Sequence, residues 1–360
     1  MNILHILEDY SIYSGGIRTV VKELIERLNS LEHKSYIISS NKEKGDNIRI
    51  VDCKDDFLLY SKDWQKKIEE IYVDEKIDIF HIHGVWRYPQ YIAAKIALKN
   101  KIPYVLTPHG MYEPWIWQKG KIQKKLYFQI LAKRVFSKSS KIHAITNDEK
   151  LHLAKIFKGA DFVEIPNLID HNLNKGINRI TDSEKYVLYV GRLDKKKGID
   201  ILINAFSKLN PEGVKLKIAG PFNDYKHILD KLVEKNNVSD KVEFLGLVKG
   251  SEKVELFTNA FAFVAPSHSE VVGMVNLEAA VYKTPVITTY QTGLNRLWGK
   301  NGGILINPSE KELYEALNKI LQWSIEERNY NGEKLYNFVL EHYSWEKRLS
   351  DWDKLYNNIS

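Results

Sequence analysis

Two carboxylates eight positions apart, Glu270 and Glu278, are the residues whose type and spacing point most directly to chemistry in this 360-residue chain. They lie in PSHSEVVGMVNLEAAVYKTPVITT, which opens at Pro266 and holds Gly273 between them. The preceding FAFVAPS reads as a buried strand, Phe261 to Val264, running into a loop, and PVITT reads as the next strand. Glu270 is thus expected in a loop at the carboxyl end of a strand, and Glu278 on the first turns of the following helix. Open α/β sheets bind ligands at that edge. Side chains that only accept hydrogen bonds suit a ligand rich in hydroxyls, such as a ribose and a sugar. Two solvated surface glutamates are the competing reading.

Cations take the corresponding place after another strand. KYVLYVGRLDKKKGIDILINAF holds a strand, Tyr186–Val190, ended by Gly191, and Gly198 opens an amphipathic helix carrying Ile201, Leu202 and Phe206. Arg192 and Lys197 flank the loop beside a helix N-terminus, and two cations with a helix dipole fit a diphosphate. Lys195 and Lys196 in the same loop also fit a solvated basic surface. Gly15 and Gly16 follow the first strand, Asn2–Leu7, and precede Ile17, Val20, Val21, Leu24, Ile25 and Leu28 at helical spacing. Glycines there let backbone N–H groups approach a phosphate, or close a tight turn. No full G-x-G-x-x-G is present, so a nicotinamide cofactor is not indicated.

Polar, aromatic loops are expected after two earlier strands. HIHGVWRYP, with His81, His83, Gly84 and Trp86, follows Ile77–His81; TPHGMYEPW, with His109, Gly110 and Glu113, follows Pro103–Leu106. His109 beside Gly110 is better placed for chemistry than His5 or His143, which lie within strands.

The elements that must hold these residues alternate as apolar strand-like runs and amphipathic helices, the pattern of a parallel sheet covered on both faces. Further strands read as Ser35–Ser39, Lys141–Ile145, Lys215–Ala219 and Val242–Leu245, the last closed by Gly246 before Leu247. A final amphipathic helix carries Trp345, Leu349, Trp352 and Leu355 or Tyr356. The length suggests two domains. A composition of 44% hydrophobic and 28% charged residues is that of a globular protein, and no apolar run approaches a membrane span of roughly 20 residues. MNILHILEDY runs straight into a strand and does not read as a signal peptide. One cysteine, Cys53, excludes an internal disulfide, which fits a reducing compartment, and no Cys/His cluster suggests a metal.

The net charge of +7 is concentrated. Between residues 115 and 141 stand Lys119, Lys121, Lys124, Lys125, Lys133, Arg134, Lys138 and Lys141 with no acidic residue, beside Trp115, Trp117, Tyr127 and Phe128. Basic residues with interfacial aromatics suit an anionic membrane surface. A solvated basic helix face fits nearly as well. Nucleic acid is not favoured, because no recognition motif accompanies the charge.

Pro-Ser-x-x-Glu, seven residues, then Glu-Ala-Ala and x-Pro-Val-Ile resembles the E-x7-E signature of retaining glycosyltransferases with two Rossmann-like domains, closest to family 4 (glycosyl transferases group 1). The Gly191-Arg192-Leu193 … Lys197-Gly198 run resembles a second motif of that family, and VEIPNLID at 163–170 resembles its interdomain hinge, with Leu168 in place of the usual glycine. The resemblance covers nearly the whole chain. It implies an α/β GT-B fold: two doubly wound parallel-sheet domains facing a cleft, residues 1–168 on the acceptor side and 169–343 binding the donor, with helix 344–360 packing back on the first.

It also implies a metal-independent, retaining transfer of a sugar from a nucleotide-sugar donor to a hydroxyl of a saccharide or lipid-linked saccharide. The setting would be surface polysaccharide, lipopolysaccharide or glycolipid biosynthesis, in the cytoplasm or peripherally on the inner face of the membrane. By resemblance, Arg192 and Lys197 bind the donor phosphates, Glu270 holds hydroxyls of the donor sugar and Glu278 binds the ribose. Gly15 and Gly16 face the diphosphate, the base packs near Leu247, and Val272, Gly273, Met274 and Val275 contact the donor sugar. His109 orients that sugar or stabilises charge, while His83, Trp86 and Glu113 belong to acceptor-side loops. Domain closure would exclude water.

Two departures stand out. Val271-Val272-Gly273 replaces the usual Gly-Phe-Gly, and Thr292-Gly293-Leu294-Asn295-Arg296 replaces Gly-Gly-x-x-Glu. Asp351-x-Asp353 matches the D-x-D of metal-dependent transferases in letters alone, since residues two apart on a helix do not face each other. A nucleotide-sugar epimerase of the same fold and a silent partner subunit of another transferase are the alternatives.

Overall fold

The computed structural model describes residues 1–11, 16–40, 45, 47–53, 56, 58–113, 117, 121–170 and 184–359. The chain divides into two compact units, Met1–Asn167 with Arg348–Ser360, and Leu168–Lys347.

The first unit is built on β1 (Asn2–Ile6), β2 (Lys34–Ser39), β3 (Ile48–Ile50), β4 (Ile79–His83), β5 (Tyr104–Thr107), β6 (Lys141–Ala144) and β7 (Phe162–Glu164). All pair in parallel, in the order β3-β2-β1-β4-β5-β6-β7. Parallel neighbours require crossover connections, and the amphipathic helices Gly16–Asn29, Asp63–Asp74 and Tyr88–Asn100 supply three of them.

Register divides the chemistry of this sheet between its faces. Leu4, Ile6, Phe80, Ile82, Tyr104, Leu106 and Ile142 point into one core, packed on Trp64, Ile68, Ile92 and Ile96. Side chains alternate along a strand, so the other face receives their neighbours. His5 stands opposite His81, His83 opposite Thr107, and His143, next after the Leu106 partner Ile142, lies with Nδ1 3.0 Å from the Thr107 hydroxyl. The helix Trp345–Asn357 lays Trp352 and Tyr356 on this polar layer, with Trp352 4.6 Å from the His143 ring and Tyr356 5.9 Å from that of His81.

The second unit repeats the plan with β8 (Lys185–Val190), β9 (Val214–Ala219), β10 (Val242–Gly246), β11 (Ala262–Ala265), β12 (Val286–Thr289) and β13 (Ile304–Ile306), again all parallel, ordered β10-β9-β8-β11-β12-β13. Val187, Tyr189, Leu216, Ile218, Val264 and Ile287 form its core with Leu202, Ile203 and Phe206 of helix Ile199–Leu209 and Leu313 and Leu317 of helix Glu310–Leu321.

The structure departs from the sequence reading at β4, which starts and ends two residues later than expected. His81 and His83 are therefore buried strand residues, not members of the following loop. β3, β7 and β13 were not anticipated; three residues are too few to display a period. Residues 121–136 form a helical rod broken by a π turn at Phe128–Ala132.

Candidate active site

In the second unit the strand order reverses between β8 and β11, and the loops after those strands meet. A doubly wound sheet opens a crevice at such a point, beyond the carboxyl ends of its strands. The first loop leaves β8 at Gly191 and makes a 3-10 turn over Lys195–Lys197, capped by Asp194, whose carboxylate accepts from the Lys196 N–H at 2.9 Å. It enters the next helix through Gly198, where φ is 69° and a Cβ would stand 2.2 Å from the Pro266 carbonyl oxygen of the second loop. Glycine alone permits both the left-handed turn and that approach. The His268 N–H then donates to the Lys196 carbonyl at 2.8 Å, tying the loops together.

This closeness brings Lys197 to Glu270. Lys197 Nζ lies 2.8 Å from Glu270 Oε2, and Ser267 Oγ donates to Oε1 at 2.6 Å. The two side chains are 15% and 12% exposed, so water screens the pair weakly. The Glu270 N–H donates to the Gln291 carbonyl at 2.9 Å and the Gly273 N–H to that of Thr292 at 3.3 Å. Val272 is buried, and the helix Met274–Val281 begins after Gly273 with no side chain capping its first turn. Met274 and Val275 are partly exposed in that turn. Arg192 is exposed at the rim, its carbonyl accepting from the Tyr189 hydroxyl at 3.0 Å. Burial, then the Glu270 charge, pushes the Tyr189 phenol up, so it stays a donor.

Glu278 follows on the same helix and pairs with Lys253, Nζ to Oε2 2.7 Å. Leu247, just past β10, is 59% exposed. Two residues here escaped sequence reasoning. Lys253 belongs to no motif. Asn276 is fully buried, donates from Nδ2 to the Gly273 carbonyl at 3.0 Å and leaves Oδ1 without a partner among the described residues. A polar residue on the apolar face of a short helix was the available signal for Asn276.

The first unit reverses its strand order between β1 and β4. Gly16 starts the helix after β1, and a Cβ there would meet nothing within 4 Å, so packing does not demand this glycine. Gly15 lies outside the described residues. His109, in the loop after β5, adopts a left-handed φ of 53° and is partly exposed. Its Nε2 is 3.0 Å from Nδ1 of His83, whose own Nε2 is 3.1 Å from Nδ1 of His5. The loop is clamped by Glu149, another residue missed from sequence, which accepts from the Gly110 N–H at 2.6 Å and the Ile145 N–H at 2.7 Å. Burial pushes Glu149 up to about 7. Glu113 pairs with His152, 3.2 Å away. Trp86 is a core residue rather than an open loop residue: it donates from its indole to the Met111 carbonyl at 3.1 Å and packs on Tyr112 and Trp117.

A second chain of hydrogen bonds runs beneath. His143 Nε2 reaches the Ile165 carbonyl at 2.7 Å, so it carries the proton and Nδ1 accepts from the Thr107 hydroxyl at 3.0 Å. Thr107 in turn accepts from His81 Nε2 at 2.7 Å, and His81 Nδ1 accepts from the Tyr356 hydroxyl at 2.8 Å. Burial holds these rings neutral, with His5 and His109 near 3, His143 near 4, and His81 and His83 well below their ordinary value. Nitrogens of His5, His81 and His83 lie within 4.8 Å of one another, a spacing that suits a metal ion. All of their ring nitrogens except His5 Nε2 have hydrogen-bond partners among the described residues.

Asp351 pairs with Arg348 and Asp353 with His33. On the basic rod, Ile122, Leu126 and Ile130 are 81%, 59% and 62% exposed along one helical face. The aromatics expected there turn inward instead: Trp117 and Phe128 pack on Tyr112, and Tyr127 lies near Trp86. Trp115 lies outside the described residues. Among the described residues no helix is long and apolar enough to cross a membrane.

Residues 170–337 match the family described as glycosyl transferases group 1, and residues 14–173 match glycosyltransferase family 4. An uncharacterized glycosyltransferase of Methanocaldococcus jannaschii is 30% identical, covering 98% of this chain and 97% of its own. The alpha-monoglucosyldiacylglycerol synthase of Acholeplasma laidlawii is 26% identical over 88% of this chain and 87% of its own. The solved structure of Anabaena HepE in complex with UDP-glucose matches with a TM-score of 0.75 at 15% identity, covering 99% of this chain and all of that one, 100%. The fold is GT-B, with a Rossmann-like sheet in each unit. The chain belongs to the group 1 glycosyltransferases and is an enzyme of the glycosyl-transferring class.

Proposed function

We propose that this enzyme transfers a sugar, with retained anomeric configuration and without a divalent metal, from a nucleotide-sugar to a hydroxyl of a saccharide or lipid-linked saccharide. The observation that carries this reading is the meeting of Lys197, Glu270 and an uncapped helix N-terminus where the second sheet reverses, with Arg192 exposed in the same loop as Lys197. When the bond from anomeric carbon to phosphate oxygen breaks, the diphosphate gains charge, which Arg192 and Lys197 stabilise. The sugar becomes oxocarbenium-like, as in glycoside hydrolysis. Glu270, neutralised by Lys197, accepts from donor hydroxyls; Val272, Gly273, Met274 and Val275 border the same sugar. Glu278 takes the ribose, with Lys253 sharing its carboxylate, and Leu247 borders the base. Gly16, which packing does not require, serves the diphosphate together with Gly15. The acceptor hydroxyl attacks the face that the phosphate leaves, and the leaving oxygen takes its proton.

His109 supports transfer from the loop after β5, and His83, Trp86 and Glu113 hold or flank that loop. The glycolipid synthase of Acholeplasma supports a lipid-linked acceptor, as does the exposed Ile122, Leu126 and Ile130 stripe between Lys125, Lys133 and Arg134, a surface suited to an anionic bilayer. Such a bilayer would be the inner face of a membrane reached from the cytoplasm, in glycolipid or surface-polysaccharide assembly.

HepE carries UDP-glucose, so UDP-sugars are the first donors to try. Thermal shift with UDP-, GDP- and ADP-sugars in EDTA is the test, because a ligand of the folded state raises apparent stability by mass action. A shift with one donor, and its turnover only with acceptor, supports the reading. Turnover independent of acceptor points to an epimerase, and binding without turnover to a silent subunit.

A further inference from the structure

We infer that His109 acts as a neutral hydrogen-bond donor through Nδ1, its tautomer set by a relay of two buried imidazoles, His83 and His5. This rests on the reading of His109 as a residue of the transfer site. His83 and His109 have ring centres 5.3 Å apart at an interplanar angle of 26°, with nitrogens 3.0 Å apart. His5 and His83 give 5.4 Å, 15° and 3.1 Å. Each centre-to-centre distance exceeds the nitrogen separation by about the two distances from ring centre to ring edge, so the rings meet edge to edge and the hydrogen bonds lie in their planes.

A row of neutral imidazoles has two polarities, and the buried end selects one. If the protons pointed inward, His5 would carry its proton on Nε2. That atom is buried and has no partner among the described residues. A buried donor left unpaired is costly, whereas an unused imidazole lone pair asks for less. The proton of His5 therefore sits on Nδ1 and points to His83 Nε2. His83 then carries its proton on Nδ1 and donates it to His109 Nε2, which leaves the proton of His109 on Nδ1.

Two further contacts hold this arrangement. His83 is fixed from its backbone, where Gln90 Nε2 donates to the His83 carbonyl at 3.0 Å. Glu149 grips the Gly110 N–H and so holds the left-handed turn at His109. Among the described residues, the titratable groups interacting with His109 are His81 and His83 from β4 and His143 from β6, all held neutral by burial. A ring with this tautomer donates to a sugar hydroxyl or to an oxygen gaining charge. It does not serve as a general base, and none is needed where the leaving phosphate oxygen takes the acceptor proton. His83, His5 and Glu149 are positioning residues.

The test is nitrogen NMR of the full chain with labelled histidine, the His109 signals assigned by their absence in His109→Gln. The expected spectrum at pH 7 has a protonated Nδ1 and a bare Nε2 on His109, unchanged from pH 5 to 8. His83→Leu removes the donor to Nε2; it is expected to mix the His109 tautomers and lower kcat about 10- to 100-fold with little change in donor KM. His83→Asn, whose amide N–H stands where Nδ1 stood, is expected to recover most of the loss. A proton on Nε2 of wild-type His109 overturns the inference whatever the activity, and the wild-type spectrum decides this even if His83→Leu does not fold. Wild-type kcat in a folded His83→Leu overturns it as well. Nδ1–H on His109 together with full kcat in His109→Gln keeps the tautomer and removes the catalytic reading instead.

Discussion

Lys197 Nζ stands 2.8 Å from Glu270 Oε2, joining the residue expected to bind phosphate to the residue expected to bind sugar. In a nucleotide-sugar those two groups share one bond, the bond that transfer breaks. A site that stabilises the departing phosphate while holding the sugar needs its cation and its carboxylate in contact. The Gly198–Pro266 approach and the His268–Lys196 hydrogen bond produce that contact from two loops far apart in the chain.

Arg192 and Lys197 are separable by burial. Arg192→Ala removes an exposed side chain whose backbone contact survives, so stability is expected to stay within about 0.5 kcal/mol. Its kcat/KM is expected to fall by about 1.5–3 kcal/mol of transition-state stabilisation. Lys197→Met strands Glu270 with Ser267 alone, and is expected to lower stability as well as activity. Denaturant unfolding with steady-state kinetics separates the two; unchanged kcat/KM in Arg192→Ala removes its phosphate role.

Gly198→Ala tests the loop junction itself. The new Cβ meets the Pro266 carbonyl oxygen at 2.2 Å and strains a left-handed residue, so the loops must part. We expect a loss of about 1–3 kcal/mol in stability. Donor affinity should fall with it, since Lys197 then no longer reaches Glu270. A variant with wild-type Tm and donor Kd would show that the junction positions nothing.

Acid is expected to unfold the first unit before the second. His5, His81, His83, His109 and His143 are neutral in the fold, with pKa values lowered by burial, whereas in the unfolded chain they take up protons near pH 6.5. The unfolded state then binds more protons, so stability contributed above pH 6.5 is lost as pH falls toward 4. Glu149, raised to about 7, has the opposite sign: its contribution is greatest below the unfolded carboxylate value and is lost as pH rises through 7. Five groups outweigh one. Stability should rise with pH between about 4.5 and 6.5, read by fluorescence of Trp352, which lies against His81 and His143. A flat profile there would mean that the histidine layer is not buried and neutral.

Ile122, Leu126 and Ile130 changed together to Ser are expected to weaken binding to anionic vesicles by about 2–4 kcal/mol, given about 1.5–3 kcal/mol for fully burying one such side chain and only partial insertion. Tm should barely change, because all three are exposed. Vesicle flotation of wild type and variant decides; equal binding leaves the basic rod as a solvated surface.

The parts of this enzyme legible in its sequence were local. A β11-to-helix connection with a glutamate in its loop, and a glycine, cation and glycine run after β8, each announce themselves within about 10 consecutive residues, because turn chemistry and strand period are local properties. The end of β4 was misplaced because His81 and His83 are polar, and polar residues suggest a loop until register shows that this face is a histidine layer. That layer depends on four strands, β1, β4, β5 and β6, aligning at one level, which no single stretch displays. Lys253 acts through a partner distant in sequence, Glu149 through backbone N–H groups and Asn276 through a backbone carbonyl one turn back, and none of these leaves a motif.

The histidine layer also bears on how the enzyme comes off the ribosome. Trp352 and Tyr356 close the polar face of the first sheet, yet they are made after the whole of the second unit. Until then, the nascent first unit holds His81 without its tyrosine hydroxyl and His143 without its indole cover. Synthesis from the N-terminus therefore cannot finish the two units in order: the second unit is complete in sequence before the first can be sealed. A free chain truncated after Lys347 should carry a protease-resistant second sheet and a still-labile first one.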